Sequence, residues 1–312
     1  MEIAKVEARR FLHCCYCCDD LDRALRFLTE GLGLRASMSV SDDPFDGDVL
    51  GLHGPVEARV CFVYDRRGPR TSPAIEVQAW VSPSAVGTPH ESPFTVGVQS
   101  LGIAVGDLGA ATTAATALGA HVVGAAAASE VFGAATTTLR DPSGITFDLV
   151  QSSDTATDGV DRESRIAHLR INCRDLGASV SWYEGLGFNV TRRKADFAIA
   201  AAVFGEGGRA SMVELVLPDE PMRLLLVHWL DSDPGGAHYP VANHRGIYRA
   251  ALGVDDTRVA VRALEASGVA IVRQPELIEL QGTPVPDMWI AFLADPNGVP
   301  IELVERPRNA FR

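Results

Sequence analysis

Two decapeptides constrain this chain more than any other feature. Asp141-Pro142-Ser143-Gly144-Ile145-Thr146-Phe147-Asp148-Leu149-Val150 returns, 154 residues later, as Asp295-Pro296-Asn297-Gly298-Val299-Pro300-Ile301-Glu302-Leu303-Val304. Asp, Pro and Gly at the first, second and fourth positions are the chemistry of a type I turn. The residues after the turn alternate with period two, so one carboxylate in each copy, Asp148 or Glu302, stands mid-strand opposite its apolar neighbours. A sheet must bury or use such a group. The chain reads as a duplication in which Asp148 and Glu302 are equivalent.

The rest of the sequence repeats in step. A short apolar strand, an Asp that caps a helix and a series of further strands recur four times, with caps at Asp20, Asp107, Asp175 and Asp256. The first and third caps lie 155 residues apart and the second and fourth 149, so four βαβββ modules run as two pairs. In the first module the strands fall at Phe11 to Cys18, around Val49-Leu50, and over Ala58 to Tyr64 and Ala74 to Val81. The expected division is residues 1–151, a polar linker over 152–164, and residues 165–312. A second irregular stretch, Asp231 to Gly246, carries His238, Tyr239 and His244; it reads as a lid over a ligand or as an ordinary connection.

At 312 residues and 46% hydrophobic content there is material for two cores. The net charge of −12, with no long run of Lys or Arg, argues against nucleic acid and for a small ligand. No apolar stretch reaches the ~18 residues of a membrane span and residues 1–11 lack a signal-peptide run, so the expected location is the cytoplasm. Four of six cysteines crowd into His13-Cys14-Cys15-Tyr16-Cys17-Cys18. In a strand these point alternately to opposite faces, which favours reduced, buried thiols over a zinc or iron–sulfur knuckle. His53, His90 and His121, in loop or helix-end settings, read as solvated.

His13 followed by Asp20-Leu21 and Gly31-Leu32-Gly33, His168 followed by Asp175-Leu176 and Gly185-Leu186-Gly187-Phe188, and the two D-P-x-G endings together resemble the vicinal oxygen chelate superfamily. That is the glyoxalase, bleomycin-resistance and extradiol dioxygenase group, and the resemblance runs from about Arg10 to Arg306. It implies an α+β fold in which paired modules form cradle-like, partly open β-barrels. It also implies a divalent metal ion (Ni, Zn, Mn or Fe) held by the first and last strands of each module. Carried over position by position, module one offers His13 and Glu76, module two Ser100 and Asp148, and module three His168 with Leu225 where a carboxylate is expected. Module four offers Arg249, where a second His is expected, and Glu302.

If modules one and two pair, the resemblance gives a metal set of His13, Glu76 and Asp148; if one and four pair, it gives His13, Glu76 and Glu302 with Arg249 nearby. A metal-bound substrate with two neighbouring oxygens would lose its proton to Glu76 or Asp148. In the second half, alternation puts His168, Arg170 and Asn172 on one face. A guanidinium in a ligand position repels a cation, so His168, Arg170, Arg249 and Tyr248 read as substrate-side residues, or Arg249 and Glu302 as an internal ion pair. Tyr248 and Trp289 also read as core or cavity wall. Two functions are expected: a metal-dependent lyase, isomerase or oxygenase, or a metal-free protein that sequesters a hydrophobic or anionic small molecule. A homodimer is compatible with either, and neither requires nucleic acid or a membrane.

Overall fold

The computed structural model describes residues 6–40, 43–152, 163–232, 235–279 and 287–306. Module one comprises β1 (Arg10–Cys18), α1 (Leu21–Arg26), β2 (Arg35–Ser39), β3 (Phe45–Asp46), β4 (Pro55–Tyr64) and β5 (Ala74–Ser82). Module two comprises β6 (Gly97–Val105), α2 (Leu108–Ala117), β7 (His121–Ser129), β8 (Ala134–Arg140) and β9 (Thr146–Gln151). Module three continues with β10 (Arg165–Asn172), α3 (Leu176–Gly185), β11 (Asn189–Ile199), the short α4 (Ala201–Phe204), β12 (Gly208–Val216) and β13 (Arg223–Trp229). Module four ends the fold with β14 (Gly246–Val254), α5 (Thr257–Ala266), β15 (Ile271–Ile278), β16 (Met288–Ala294) and β17 (Pro300–Glu305). The fold is α+β, and no described helix is long and apolar enough to cross a membrane.

The four caps form as the spacing predicts. Asp20, Asp107, Asp175 and Asp256 each accept the N–H three residues on, from Arg23, Ala110, Ala178 and Val259, at 2.9–3.0 Å. Each occupies an orphan donor of the first helical turn. Two local expectations are corrected. Val49-Leu50 lies in a single 3-10 turn, Asp48–Leu50, because Gly51 adopts a left-handed conformation (φ 76°) and ends it. Module three carries the added α4 between β11 and β12.

Two sheets result, and they cross the repeat. One runs β15-β16-β17-β14-β1-β5-β4-β2, with β3 on β4, and unites modules four and one; the other runs β11-β12-β13-β10-β6-β9-β8-β7 and unites modules three and two. The seams are antiparallel, β1 on β14 and β10 on β6, while each module's first strand pairs in parallel with its last. The division at 151 and 165 marks the repeat along the chain, whereas the sheets join modules from both sides of it. Of the linker, residues 153–162 lie outside the described residues. Both curled sheets back onto one buried core fed by all four modules, including Tyr16, Phe27, Phe147, Tyr183, Leu226 and Leu303.

The D-P-x-G turns bind the halves in the other direction. Asp141 Oδ1 accepts the amides of Ser143 and Ile145, and Asp295 Oδ1 those of Asn297 and Val299, at 2.7–2.9 Å. The second oxygen of each reaches a tyrosine from the preceding module: Tyr16 O–H donates to Asp141 Oδ2 and Tyr183 O–H to Asp295 Oδ2. Modules one and two, and three and four, are therefore tied through the core, while the sheets tie one to four and two to three.

Burial lifts the Asp141 carboxyl to about 6, against the pull of Tyr16 and the two amides. The folded state thus binds this proton more tightly than the unfolded chain, so the contribution is greatest below the ordinary carboxylate pKa near 4 and is lost as pH rises through about 6. Asp141→Asn should remove on the order of 2 kcal/mol from the difference in unfolding free energy between pH 4 and pH 7. Urea unfolding across that range checks it, and identical pH profiles for the variant and the parent would contradict the assignment.

Candidate functional site

In the cradle of modules one and four, register decides which side chains meet. Cys15 is flanked by Glu76 on β5 and Arg249 on β14, and His13 by Ala251, whose other neighbour is Glu302 on β17. The small Ala251 lets His13 reach across it. His13 Nε2 stands 3.3 Å from Glu76 Oε2 and 3.3 Å from Glu302 Oε2. Arg249 spans the same two oxygens, Nη2 donating to Glu76 at 2.8 Å and Nε to Glu302 at 2.9 Å. All four side chains are nearly buried, His13 being the most accessible at 13%.

Behind them the bonds continue. Gln78 Nε2 donates to Glu76 Oε1 at 3.0 Å, and the Cys15 thiol donates to Gln78 Oε1 at 3.1 Å. Glu76 is therefore oriented from both sides. Phe62 meets His13 edge-on, and Phe292 lies under the Arg249 guanidinium. Arg249 Nη1 is buried at this centre with no hydrogen-bond partner, while His13 Nε2, also buried, has the two carboxylate oxygens at 3.3 Å as its polar neighbours. Burial pushes the Glu302 carboxyl up, but Arg249, aided by His13, outweighs it and holds it at about 2. Burial disfavours the charge on Arg249, yet Glu76, Cys15 and Glu302 raise its pKa further, so the ion pair is fixed at any working pH.

The cradle of modules two and three repeats the register with different occupants. His168 neighbours Gly102, and Gly102 neighbours Asp148; a Cβ on Gly102 would come within 2.0 Å of the His168 ring. Arg170, on the strand position equivalent to Cys15, donates from Nε to Asp148 Oδ2 at 2.9 Å and to Ser100 Oγ at 3.0 Å. Thr138 and Ser100 hydroxyls also donate to Asp148. Burial raises the Asp148 carboxyl, but Arg170 and His168 hold it well below the usual range; burial pushes the His168 imidazole down, against Asp148.

This second centre is covered. Phe132 stacks on His168 at 4.8 Å, and the Phe204 ring, supplied by α4, lies 4.0 Å from the Arg170 guanidinium carbon. Both belong to an apolar cluster that includes Phe197, Leu225 and Trp229 and fills the concave face. Leu225 is thus part of the filling.

Sequence-derived candidates are divided accordingly. His13, Glu76, Glu302 and Arg249 share one centre; Asp148, His168 and Arg170 share the other, so a single set containing Asp148 and His13 does not form. The physical reason is the crossed pairing, which sends Asp148 to the sheet of β10. Tyr248 packs beside the first cradle's apolar wall, and its carbonyl meets His238 Nε2 at 2.5 Å. His238, Tyr239 and His244 connect to residues 84–99: Tyr239 stacks between His90 and His244, and His238 Nδ1 accepts the Val98 amide. His53 and His121 are exposed, but His90 is mostly buried and its pKa falls to about 4 through desolvation. All six cysteines are free and buried: Cys14 and Cys18 face the core with Tyr16, whereas Cys15 and Cys17 lie on the cradle side. Gln78 and Gly102 went unnoticed in the sequence, although Gln78 shares Glu76's face by simple alternation.

A resident divalent ion does not fit the first centre as built. His13, Glu76 and Glu302 are donors of the right kinds, but both carboxylate oxygens nearest the imidazole are already taken by Arg249 N–H groups. Among the described residues no group of three or more His, Cys, Asp or Glu side chains is arranged to hold a metal ion.

Tandem βαβββ modules closing two half-barrels, with a first-strand His and a last-strand carboxylate on each floor, define a class of cradle proteins. The sequence profile of the Glyoxalase/Bleomycin resistance protein/Dioxygenase superfamily matches residues 10–149 and again 165–303, and the chain belongs to that superfamily. Curated relatives include a probable lactoylglutathione lyase from Vibrio cholerae, 26% identical over 146 residues, which are 45% of this chain and 90% of that protein. A probable lactoylglutathione lyase from Synechocystis is 29% identical over 145 residues, 45% of this chain and 94% of its own length. Among solved structures, glyoxalase I from Zea mays aligns over 95% of this chain and 92% of its own at a TM-score of 0.65 and 20% identity. A putative dioxygenase from Bacillus subtilis aligns over 97% and 86% at 0.64 and 13%. These structures share the fold.

Arg170→Met leaves Asp148 buried without its cation. Urea unfolding should show a loss of about 3–5 kcal/mol. A loss under about 1 kcal/mol, the size of an exposed pair, would mean the ion pair is not part of the frame.

Proposed function

We propose that this chain binds a small, uncharged, oxygen-bearing molecule in the cradle of modules one and four, with no divalent ion resident there. One observation carries the reading: Arg249 holds both carboxylates of the centre while its Nη1 has no partner, and the equivalent unpaired Nη1 of Arg170 in the other cradle lies under the Phe204 ring. An unpaired buried N–H group costs free energy that a ligand oxygen relieves. Two carboxylates against one guanidinium disfavour an anionic ligand. The flanking Phe62 and Phe292 suit an apolar or aromatic body. In this reading Arg249 donates to the ligand oxygen and His13 positions it. Glu76 and Glu302 keep the guanidinium in place, and Gln78 fixes Glu76. The second cradle, filled by Phe132 and Phe204, serves as frame.

The names of the curated relatives favour a second reading, lyase chemistry on a lactoylglutathione-like compound. There the proton acceptor at the centre would be Glu76, since Asp148 lies in the other cradle. Isothermal titration with catechol, benzoate and S-lactoylglutathione separates the readings. Catechol should bind, benzoate should bind at least tenfold more weakly, and His13→Ala should lose catechol binding tenfold or more while keeping its melting temperature within a few degrees. Formation of S-lactoylglutathione in the presence of added Ni2+ or Zn2+, abolished by His13→Ala, would replace the first reading with the second. No binding of any of the three would remove both.

A further inference from the structure

Two contacts of the first centre have the length of a ligand–ligand edge, although Arg249 occupies the carboxylate oxygens that an ion would need. Four atoms bound tetrahedrally to one zinc-like ion at about 2.1 Å stand about 3.4 Å from one another. His13 Nε2 lies 3.3 Å from each of Glu76 Oε2 and Glu302 Oε2, two edges of such a figure. Arg249 bridges the same two oxygens through its Nη2 and Nε hydrogens. We propose that Arg249 is the permanent cation of this centre, standing in the place of a divalent ion among His13, Glu76 and Glu302, and that the substitution Arg249→His opens a divalent metal site.

The second cradle supports this independently. Its last-strand carboxylate, Asp148, also carries a guanidinium, but from Arg170, which sits on β10 at the position of Cys15 and not at that of Arg249. The position matching Arg249 there is Ser100. Two cradles with the same backbone register thus meet their buried carboxylate with a guanidinium drawn from different strands. The requirement they share is a fixed positive charge on that oxygen, not a residue at one site. A guanidinium meets it without releasing protons and cannot be removed by chelation. In place of an ion's open coordination position, the first centre presents Arg249 Nη1. The inference concerns what neutralises the centre and holds whether or not catechol or any other molecule binds there.

The test is Co2+ and Zn2+ binding by equilibrium dialysis, with the visible d–d absorption of Co2+ reporting geometry, on the parent, Arg249→His, Arg249→Met and the double variant Arg249→His/His13→Ala. The parent should take up no stoichiometric metal. Arg249→His should bind one equivalent at least 100-fold more tightly than the parent, with a four-coordinate Co2+ spectrum, and the double variant should lose it. Where Arg249→His folds poorly without metal, far-ultraviolet circular dichroism should recover on adding Co2+, and Arg249→Met, which cannot ligate, should not be rescued. The proposal fails if the parent itself loads one equivalent in a His13-dependent way. It fails equally if Arg249→His neither binds Co2+ nor is refolded by it, if its binding survives loss of His13, or if metal rescues Arg249→Met as well.

Discussion

The antiparallel seam between each module's first strand and the first strand of a module from the other half of the chain determines everything that meets on the cradle floors. β1 on β14 puts His13 beside Ala251 and, one strand further, Glu302; β10 on β6 puts His168 beside Gly102 and Asp148. Small residues at Ala251 and Gly102 are a condition of that meeting, because the imidazole must pass over the intervening strand to reach the carboxylate. At Gly102 even a methyl group would collide with it. A one-residue slip in either seam would turn the histidine to the opposite face of its sheet.

The turn aspartates explain how two crossed sheets remain one body. Their tyrosine partners come from the module preceding in the chain, across the sheet pairing, so the two sheets cannot separate without exposing two buried phenol–carboxylate bonds. The costs are visible in the elevated pKa of both Asp141 and Asp295. Their offset lies in the backbone amides that each captures, which fix the D-P-x-G turn and with it the register of the last strand.

Local chemistry explains what was legible in the sequence. Asp20, Asp107, Asp175 and Asp256 announce helices because capping needs only three neighbouring residues, and the turn motifs announce strand register for the same reason. His13, Glu76, Glu302 and Arg249 were each recognisable as candidates. Their meeting was one of two alternatives, because pairing of β1 with β14 depends on residues more than two hundred positions apart, and His13 and Glu76 were left with either Asp148 or Glu302 for that reason. The filling of the second cradle was equally hidden: α4 is a single turn, and nothing in its Ala201-Ala202-Val203-Phe204 run says that Phe204 will cover Arg170.

The two floors also show what duplication leaves free. Backbone register keeps the place of a buried negative charge, Glu302 or Asp148, and an isolated buried carboxylate is untenable without a compensating cation. Which cation supplies it is not constrained by the backbone. In the second cradle Arg170 does so with Ser100 and Thr138 sharing the load on Asp148, and the rings of Phe132 and Phe204 cover the pair, while Arg170 Nη1 and His168 Nε2 are left without hydrogen-bond partners. In the first, Arg249 must serve two carboxylates, and its Nη1 stays unpartnered while His13 Nε2 stands 3.3 Å from the same two oxygens. Both guanidiniums keep one unpaired N–H group, so the two equivalent floors differ in their cover: Phe132 and Phe204 lie directly on His168 and Arg170, whereas Phe62 meets His13 edge-on and Phe292 lies 5.9 Å from Arg249.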